Sequence, residues 1–303
     1  MPLNFGYIGV GKETTRGTAV APAFFFRASR PVSPALRQEM AEVPDIATYG
    51  VADLIPTARH VEGDLGVVVT PNAIGALLTA LLGAPTTTGT APNYTHTFTP
   101  KTTTLTYTVE AQSGVGIFRT PGAAVGELEF SHAANGILEA TARYMARDKI
   151  THGTAATPTI ETVVFTPTQV SLSVDGGSLH ALGEDLRLRL SYSKEVIQTF
   201  GTATPYDILP TGEGDVTLEA TVVFDSTAGA NWLNRYTAGT SIPVSVAWTR
   251  DANTSLTVTF TGWFTEDPLT LQNNDLRFAR VRLSLRGRAS SLQVTLKNSQ
   301  ASY

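Results

Sequence analysis

The sequence predicts a mainly β protein made of two tandem antiparallel β-sandwich or barrel units, residues 1–155 and 156–303, each flanked by one short α-helix. Three observations lead there. Two stretches, 61–83 and 212–239, carry the same order of features, one in each half of the chain. Most other apolar runs alternate bulky and polar residues, the pattern of a strand with one buried face. Turn residues separate these runs at short intervals, and a Gly/Pro-containing segment, Thr151 to Thr159, falls between the halves as a linker.

The first repeated stretch reads as a turn at Glu62-Gly63-Asp64, a β-branched run ending at Thr70, and a helix capped by Thr70 with Pro71 in its first turn. Ile74, Leu77, Leu78, Leu81 and Leu82 recur at helical spacing, which predicts a core-facing stripe, and Gly83 closes the helix. The second stretch repeats this with a turn at Gly214-Asp215, a run to Phe224, a helix start at Asp225-Ser226-Thr227, a core face of Trp232, Leu233 and Tyr236, and a closing Gly239. Helices of about three turns need packing on a sheet to persist.

Residues 6–22 are rich in glycine and polar residues and read as an arm with little core. Phe24 to Ala28 is a short aromatic strand. Pro31 to Pro56, with prolines also at 34 and 44, reads as a long excursion of the kind that is usually functional within a compact domain. Tyr94–Thr99 and Leu105–Glu110 alternate as strands, and Gly126–Phe130 and Ile137–Met145 read as two more around a turn at Ala133–Gly136, although the last also fits a helix. In the second half Gln169–Val174, Leu186–Tyr192, Val244–Trp248, Leu256–Thr261 and Phe278–Arg286 alternate in turn, while Lys194 to Pro210 is a second excursion. Sheets of this kind have edges that must be paired or covered, and a ring assembly is one way to pair them.

Hydrophobic residues make up 42% of the 303 and charged residues 16%, which suits a real core beneath a weakly charged surface. A formal net charge of −4 argues against a general nucleic-acid binder. The absence of cysteine excludes disulfides and thiolate metal sites. No stretch is long enough to span a bilayer, and the opening residues lack the pattern of a signal peptide, so the protein is expected to be soluble and made in the cytoplasm.

No catalytic constellation stands out, and neither an enzyme nor a cofactor is expected. Gly6 to Lys12 fits the glycine and lysine positions of a phosphate-binding loop, but Glu13 stands where that loop needs Ser or Thr. His60, His96, His132, His152 and His180 share no metal-ligand spacing, and His96, between two threonines, reads as a surface or interface side chain. Glu127, Glu129 and Glu139 could be posed as a glycosidase pair, yet solvated strand faces produce such patterns routinely. Arg187, Arg189, Arg277, Arg280, Arg282, Arg286 and Arg288 form a basic stripe whose plainer reading is pairing with carboxylates of neighbouring strands or subunits.

The opening Gly11-Lys12-Glu13-Thr14-Thr15-Arg16-Gly17-Thr18-Ala19-Val20-Ala21-Pro22 resembles the tail tube (major tail) proteins of long-tailed, siphovirus-type bacteriophages. So do the segment from Glu62-Gly63-Asp64 to Gly83 and the strand Tyr94-Thr95-His96-Thr97-Phe98. The likeness implies tail-tube-like β domains and rings whose sheets join into an inner barrel. Those rings stack through long loops into a hollow tube that forms on a tape-measure protein, meets tail-terminator and distal-tail proteins, and passes double-stranded DNA without specific binding. The two excursions fall where stacking loops would lie. Inter-ring and inter-subunit contacts are therefore expected at Glu42, Asp45, Tyr49, Asp53, Glu195, Phe200 and Tyr206, with Lys12 and Arg16 of the arm, while Leu77, Leu78, Leu81, Trp232 and Leu233 serve as helix core. If both halves are tube domains, three chains would make a sixfold-like ring, which is preferred here over a ring of six. The alternatives are a β-sandwich receptor- or carbohydrate-binding virion module, or a terminator or distal-tail ring.

Overall fold

The computed structural model describes residues 6–30, 32, 34–45, 50–103, 105–113, 116–133, 135–179, 186–212, 214–223, 226–269 and 280–303. The first half runs β1 (Tyr7–Lys12), β2 (Phe24–Arg27), β3 (Ala35–Asp45), β4 (Gly50–Val68), α1 (Ile74–Leu82), β5 (Thr86–Thr90), β6 (Asn93–Phe98), β7 (Tyr107–Ser113), β8 (Gly116–His132), β9 (Glu139–Ala146) and β10 (Ile150–His152). The second runs β11 (Val170–Val174), β12 (Gly177–Leu179), β13 (Leu186–Ser191), β14 (Lys194–Ile197), β15 (Asp207–Pro210), β16 (Asp215–Val223), α2 (Ser226–Thr237), β17 (Ile242–Asp251), β18 (Thr254–Phe264), β19 (Arg280–Arg288) and β20 (Gln293–Asn298). Among the described residues the fold is mainly β with antiparallel sheets and two short helices, and no sheet closes into a barrel.

The pairings in the two halves run side by side. β1 lies between β2 and β7 as β11 lies between β12 and β17, and the hairpin β7–β8 matches β17–β18. β4 lies between the bridge at Ala28 and β9 as β16 lies between β13 and β19, and β3 pairs with the earlier part of β4. β9 pairs with β8 as β19 pairs with β18, and β10 and β20 add to β8 and β18. α1 packs on β8 and α2 on β18. The hairpin β5–β6 has no counterpart in the second half, where α2 leads almost directly into β17.

The halves are joined twice. The end of β8 pairs with β13 from Glu127↔Ser191 to His132↔Leu186, and β6 pairs with β20 from Phe98↔Val294 to Tyr94↔Asn298. The first joint makes one continuous sheet in the order β3-β4-β9-β8-β13-β16-β19. Its inward face is apolar, with Leu65, Ala142, Phe130, Leu188, Leu218 and Leu283 all buried.

Four sequence expectations change. The arm at 6–22 contains β1, whose residues Tyr7 to Gly11 are buried between two strands; its alternating glycines disguised a core strand, and a Cβ on Gly9 or Gly11 would collide with Pro22 or Ala21. Glu62-Gly63-Asp64 is no turn but the middle of the 19-residue β4, where Gly63 faces Tyr144 and a Cβ would lie 2.7 Å from the tyrosine ring. The excursion 31–56 is a long hairpin, β3–β4, whose Pro44 and Pro56 sit beside register shifts, the positions where a ladder tolerates a missing N–H. The excursion 194–210 is likewise a hairpin, β14–β15.

Both helices end as expected, with Gly83 at φ 94° and Gly239 at φ 60°. Thr70 contributes its carbonyl, which accepts from Ile74 N–H at 3.1 Å. The start of α1 is also held by Glu161, whose carboxylate accepts from Asn72 N–H at 2.9 Å and Asn72 Nδ2 at 3.0 Å, and whose pKa burial raises. Every residue of α1 is buried. α2 differs: Trp232 is buried, whereas Leu233 and Tyr236, expected in the core, are each 38% exposed. In α1 the outer face is covered, in part by Tyr303 lying on Gly75; α2 rests on β18 through Trp232 and leaves its other side to solvent.

Candidate assembly interface

The outward face of the seven-strand sheet is polar and internally neutralised. Glu127, on β8, is bound by Arg189 of β13 and lies 3.5 Å from Arg143 of β9, which also approaches Asp64 of β4 at 3.7 Å. Arg37 pairs with Glu62 at 3.0 Å, Arg282 with Glu219 at 3.0 Å and Arg286 with Asp215 at 3.0 Å. Within the arginine stripe Arg189, Arg282 and Arg286 thus meet carboxylates of neighbouring strands, as its plainer reading had it, and Arg288 stacks on Trp263; Arg277 lies outside the described residues. Cross-strand pairs of this kind are the sheet equivalent of helical ion pairs. Of Glu127, Glu129 and Glu139, which the sequence could pose as a carboxylate pair, Glu127 is engaged by Arg143 and Arg189.

At one end of this face an open hollow of about 760 Å³ lies between the base of β3–β4 and the start of β14. Lys194 lines it without a carboxylate partner among the described residues, and burial lowers its pKa to about 8.

The two hairpins lie together. The loop between β14 and β15 docks on the first hairpin's base: Ala203 O accepts from Arg59 N–H at 2.8 Å, and Pro205 O from Arg147 Nε at 2.7 Å. Arg16 pairs with Asp207, so this arm residue braces the second hairpin, and Lys12 Nζ donates to Tyr303 O at 2.8 Å. Beyond these anchors the hairpins expose apolar side chains, including Met40 at 51%, Leu54 at 50%, Tyr206 at 66% and Phe200 fully. Glu42 is exposed opposite Leu54, and Asp53, opposite Val43, accepts from Leu54 N–H; Glu195 is exposed opposite Leu209. Asp45 ends β3 opposite Gly50, while Tyr49 lies outside the described residues. Sequence reading marked the charged residues here and missed the exposed Met40, Leu54 and Ile55, which become visible only once the segment is known to be a solvated hairpin.

A family model described as phage tail tube protein matches residues 6–295. The chain belongs to that family. No curated protein matches it. As a tail tube protein it is a structural component of the virion tail. The glycine-rich opening is accordingly no phosphate cradle: Glu13 itself accepts from Gly17 N–H at 2.7 Å, Gly122 N–H at 2.7 Å and Thr108 Oγ1 at 2.8 Å. His96 is not on the surface. It is fully buried, bonded to Thr87 Oγ1 at 2.9 Å and Gln300 O at 2.8 Å, and it ties β6 to the β20 end of the chain. Among the described residues no three His, Asp or Glu side chains gather as a metal-binding group, and no helix is long and apolar enough to cross a membrane.

Proposed function

We propose that the chain is a tandem duplication of one tube domain and that three copies close into a sixfold-like ring, rings then stacking into the hollow tail tube. The observation that carries this reading is the continuous sheet β3-β4-β9-β8-β13-β16-β19, in which two domains already share one ladder across the β8–β13 joint. Such a sheet keeps two edges, and heterologous contacts between edges close a ring when the rotation permits. Its polar face would line the lumen: charges paired at about 3 Å leave little unbalanced field, so DNA could slide past without sticking. Its apolar face is committed to the core.

The two docked hairpins supply the stacking surface, with Phe200, Tyr206, Met40 and Leu54 as exposed apolar contacts flanked by Glu42, Asp53 and Glu195. The tube would form around a tape-measure protein, end on terminator and distal-tail proteins, and conduct DNA at ejection. Negative-stain electron microscopy of the concentrated protein tests this. Hollow tubes of stacked rings are expected; a protein that remains a single chain at every concentration, and when mixed with preformed tail tips, contradicts it.

A further inference from the structure

The two halves repeat one pairing scheme, but one contact of the first half has no partner in the second. The end of β8 lies between β9 and β13. The matching end of β18, Gly262 to Phe264, lies on β19, and β17 stops beside it at the pair Ile242↔Gly262. Past that pair, the far side of Trp263–Thr265 has no strand among the described residues. The mirror deficiency is at the other end of the sheet. β13 lies between β16 and β8, whereas its counterpart in the first half, Ala28–Arg30, rests on β4 alone through the bridge Ala28↔Val67 and the bond from Ser29 N–H to Gly66 O at 2.9 Å. Its outer side is bare among the described residues.

We propose that these two bare edges meet between copies: Trp263 and Phe264 of one chain pair antiparallel with Ser29 and Ala28 of the next, repeating the β8–β13 joint. This rests on the ring reading above and names its lateral contact. The faces agree. In the internal joint Phe130 pairs directly with Leu188, both in the core. In the joint between chains Phe264, 7% exposed, takes the place of Phe130, and Ala28, packed against the core, takes that of Leu188. The polar side then brings Trp263, stacked on Arg288, beside Ser29. The joint between chains is the narrower one, because the internal joint is clamped a second time by β6–β20 and the second half has no counterpart of β5–β6. A ring built this way alternates wide and narrow joints and comes apart at the narrow ones.

The chain contains no cysteine, so a thiol pair reports this contact alone. In the assembled double variant Ser29→Cys/Thr265→Cys, a short bis-maleimide should give a ladder of two and three linked chains that stops at three. Ala28→Pro is the second variant. Ser29 N–H is used by Gly66, so the preceding N–H, at the bridge residue Ala28, points to the bare side, and its removal should leave a folded monomer that no longer assembles. Assembly without any linked species, or assembly of Ala28→Pro at the parental concentration, overturns the edge assignment while the tube reading stands. A ladder continuing past three overturns the three-chain closure. Failure of the parent itself to assemble removes the ring reading and this contact with it.

Discussion

The indole Nε1 of Trp248 donates to Nδ1 of His132 at 3.0 Å, linking β17 of the second half to the end of β8, the strand that joins the halves. Both side chains are buried, and the other imidazole nitrogen, Nε2, has no partner. The bond requires Nδ1 unprotonated. Burial lowers the pKa of His132 below its ordinary 6.5, so the neutral form is favoured in the folded chain. A group with a depressed folded pKa of this kind stabilises fully above its unfolded value and loses that contribution as pH falls below it. The melting temperature should therefore drop on going from pH 7.5 to pH 5, and His132→Phe should flatten that part of the profile. An unchanged slope in the variant would assign the acid sensitivity elsewhere.

Lys194 has the same sign at higher pH. Its folded pKa, lowered to about 8 by burial, means that holding the charge costs stability below that pH, a cost relieved as pH rises through 8 toward the unfolded value of 10.5. Lys194→Met keeps the stem and removes the charge. It should raise stability at pH 7 by on the order of 1 kcal/mol, with the gain fading above pH 10; denaturant titrations at pH 7 and pH 10 check both halves of the statement.

Tyr303 closes the first-half core. Its ring lies on α1, where a Cβ on Gly75 would approach it to 2.1 Å, and its hydroxyl donates to Asn72 O at 2.8 Å. It also touches Phe24, His96 and Phe98. Tyr303→Ala should cost about 3–5 kcal/mol in urea unfolding, the range for a buried aromatic. Gly75→Val should be similarly harmful through collision rather than cavity.

Glu110 is fully buried, bound by Arg119 Nε at 2.6 Å and by the hydroxyl of Tyr7, whose pKa is raised to about 12 chiefly by burial. Removing one member of a buried pair strands the other. Glu110→Ala should cost about 3–5 kcal/mol, whereas Arg282→Gln with Arg286→Gln, on the exposed polar face, should change monomer stability by less than about 1 kcal/mol. Equal losses in the two variants would mean that the outward pairs are structural.

Phe200, wholly exposed in the β14–β15 loop, makes no core contact to lose. Phe200→Ser should melt with the parent yet yield isolated rings or much shorter tubes under the electron microscope. Tubes of parental length would take stacking away from this hairpin.

Much of the fold was legible because strands with one buried face and a helix with a full apolar stripe leave periodic marks: Leu186 to Ser191, Leu256 to Thr261 and Ile74 to Leu82 fold as their spacing predicts. What stayed hidden has physical reasons. In β1 the glycines that admit Pro22 and Ala21 also erase the alternation. In β3–β4 both faces of the distal hairpin are exposed, so no burial imposes a period of two, and the prolines at bulges read as loop. His96 and Glu161 have roles set by residues about 200 and 90 positions away, which no local pattern encodes. Glu42, Asp53, Glu195, Phe200 and Tyr206 are expected as contacts from position alone, and Met40, Leu54 and Ile55 are not, because an exposed Met or Leu looks like core until the strand beneath it is seen to be solvated.

The most direct test is the mass of a single ring, taken by native mass spectrometry on assemblies stopped before stacking, for instance with Phe200→Ser. Three chains of 32.2 kDa in one closed ring are the result expected if each half is a tube domain and the β8–β13 joint is repeated between copies. Six chains per ring would contradict it, leaving a tail tube protein in which only one half of each chain builds the wall.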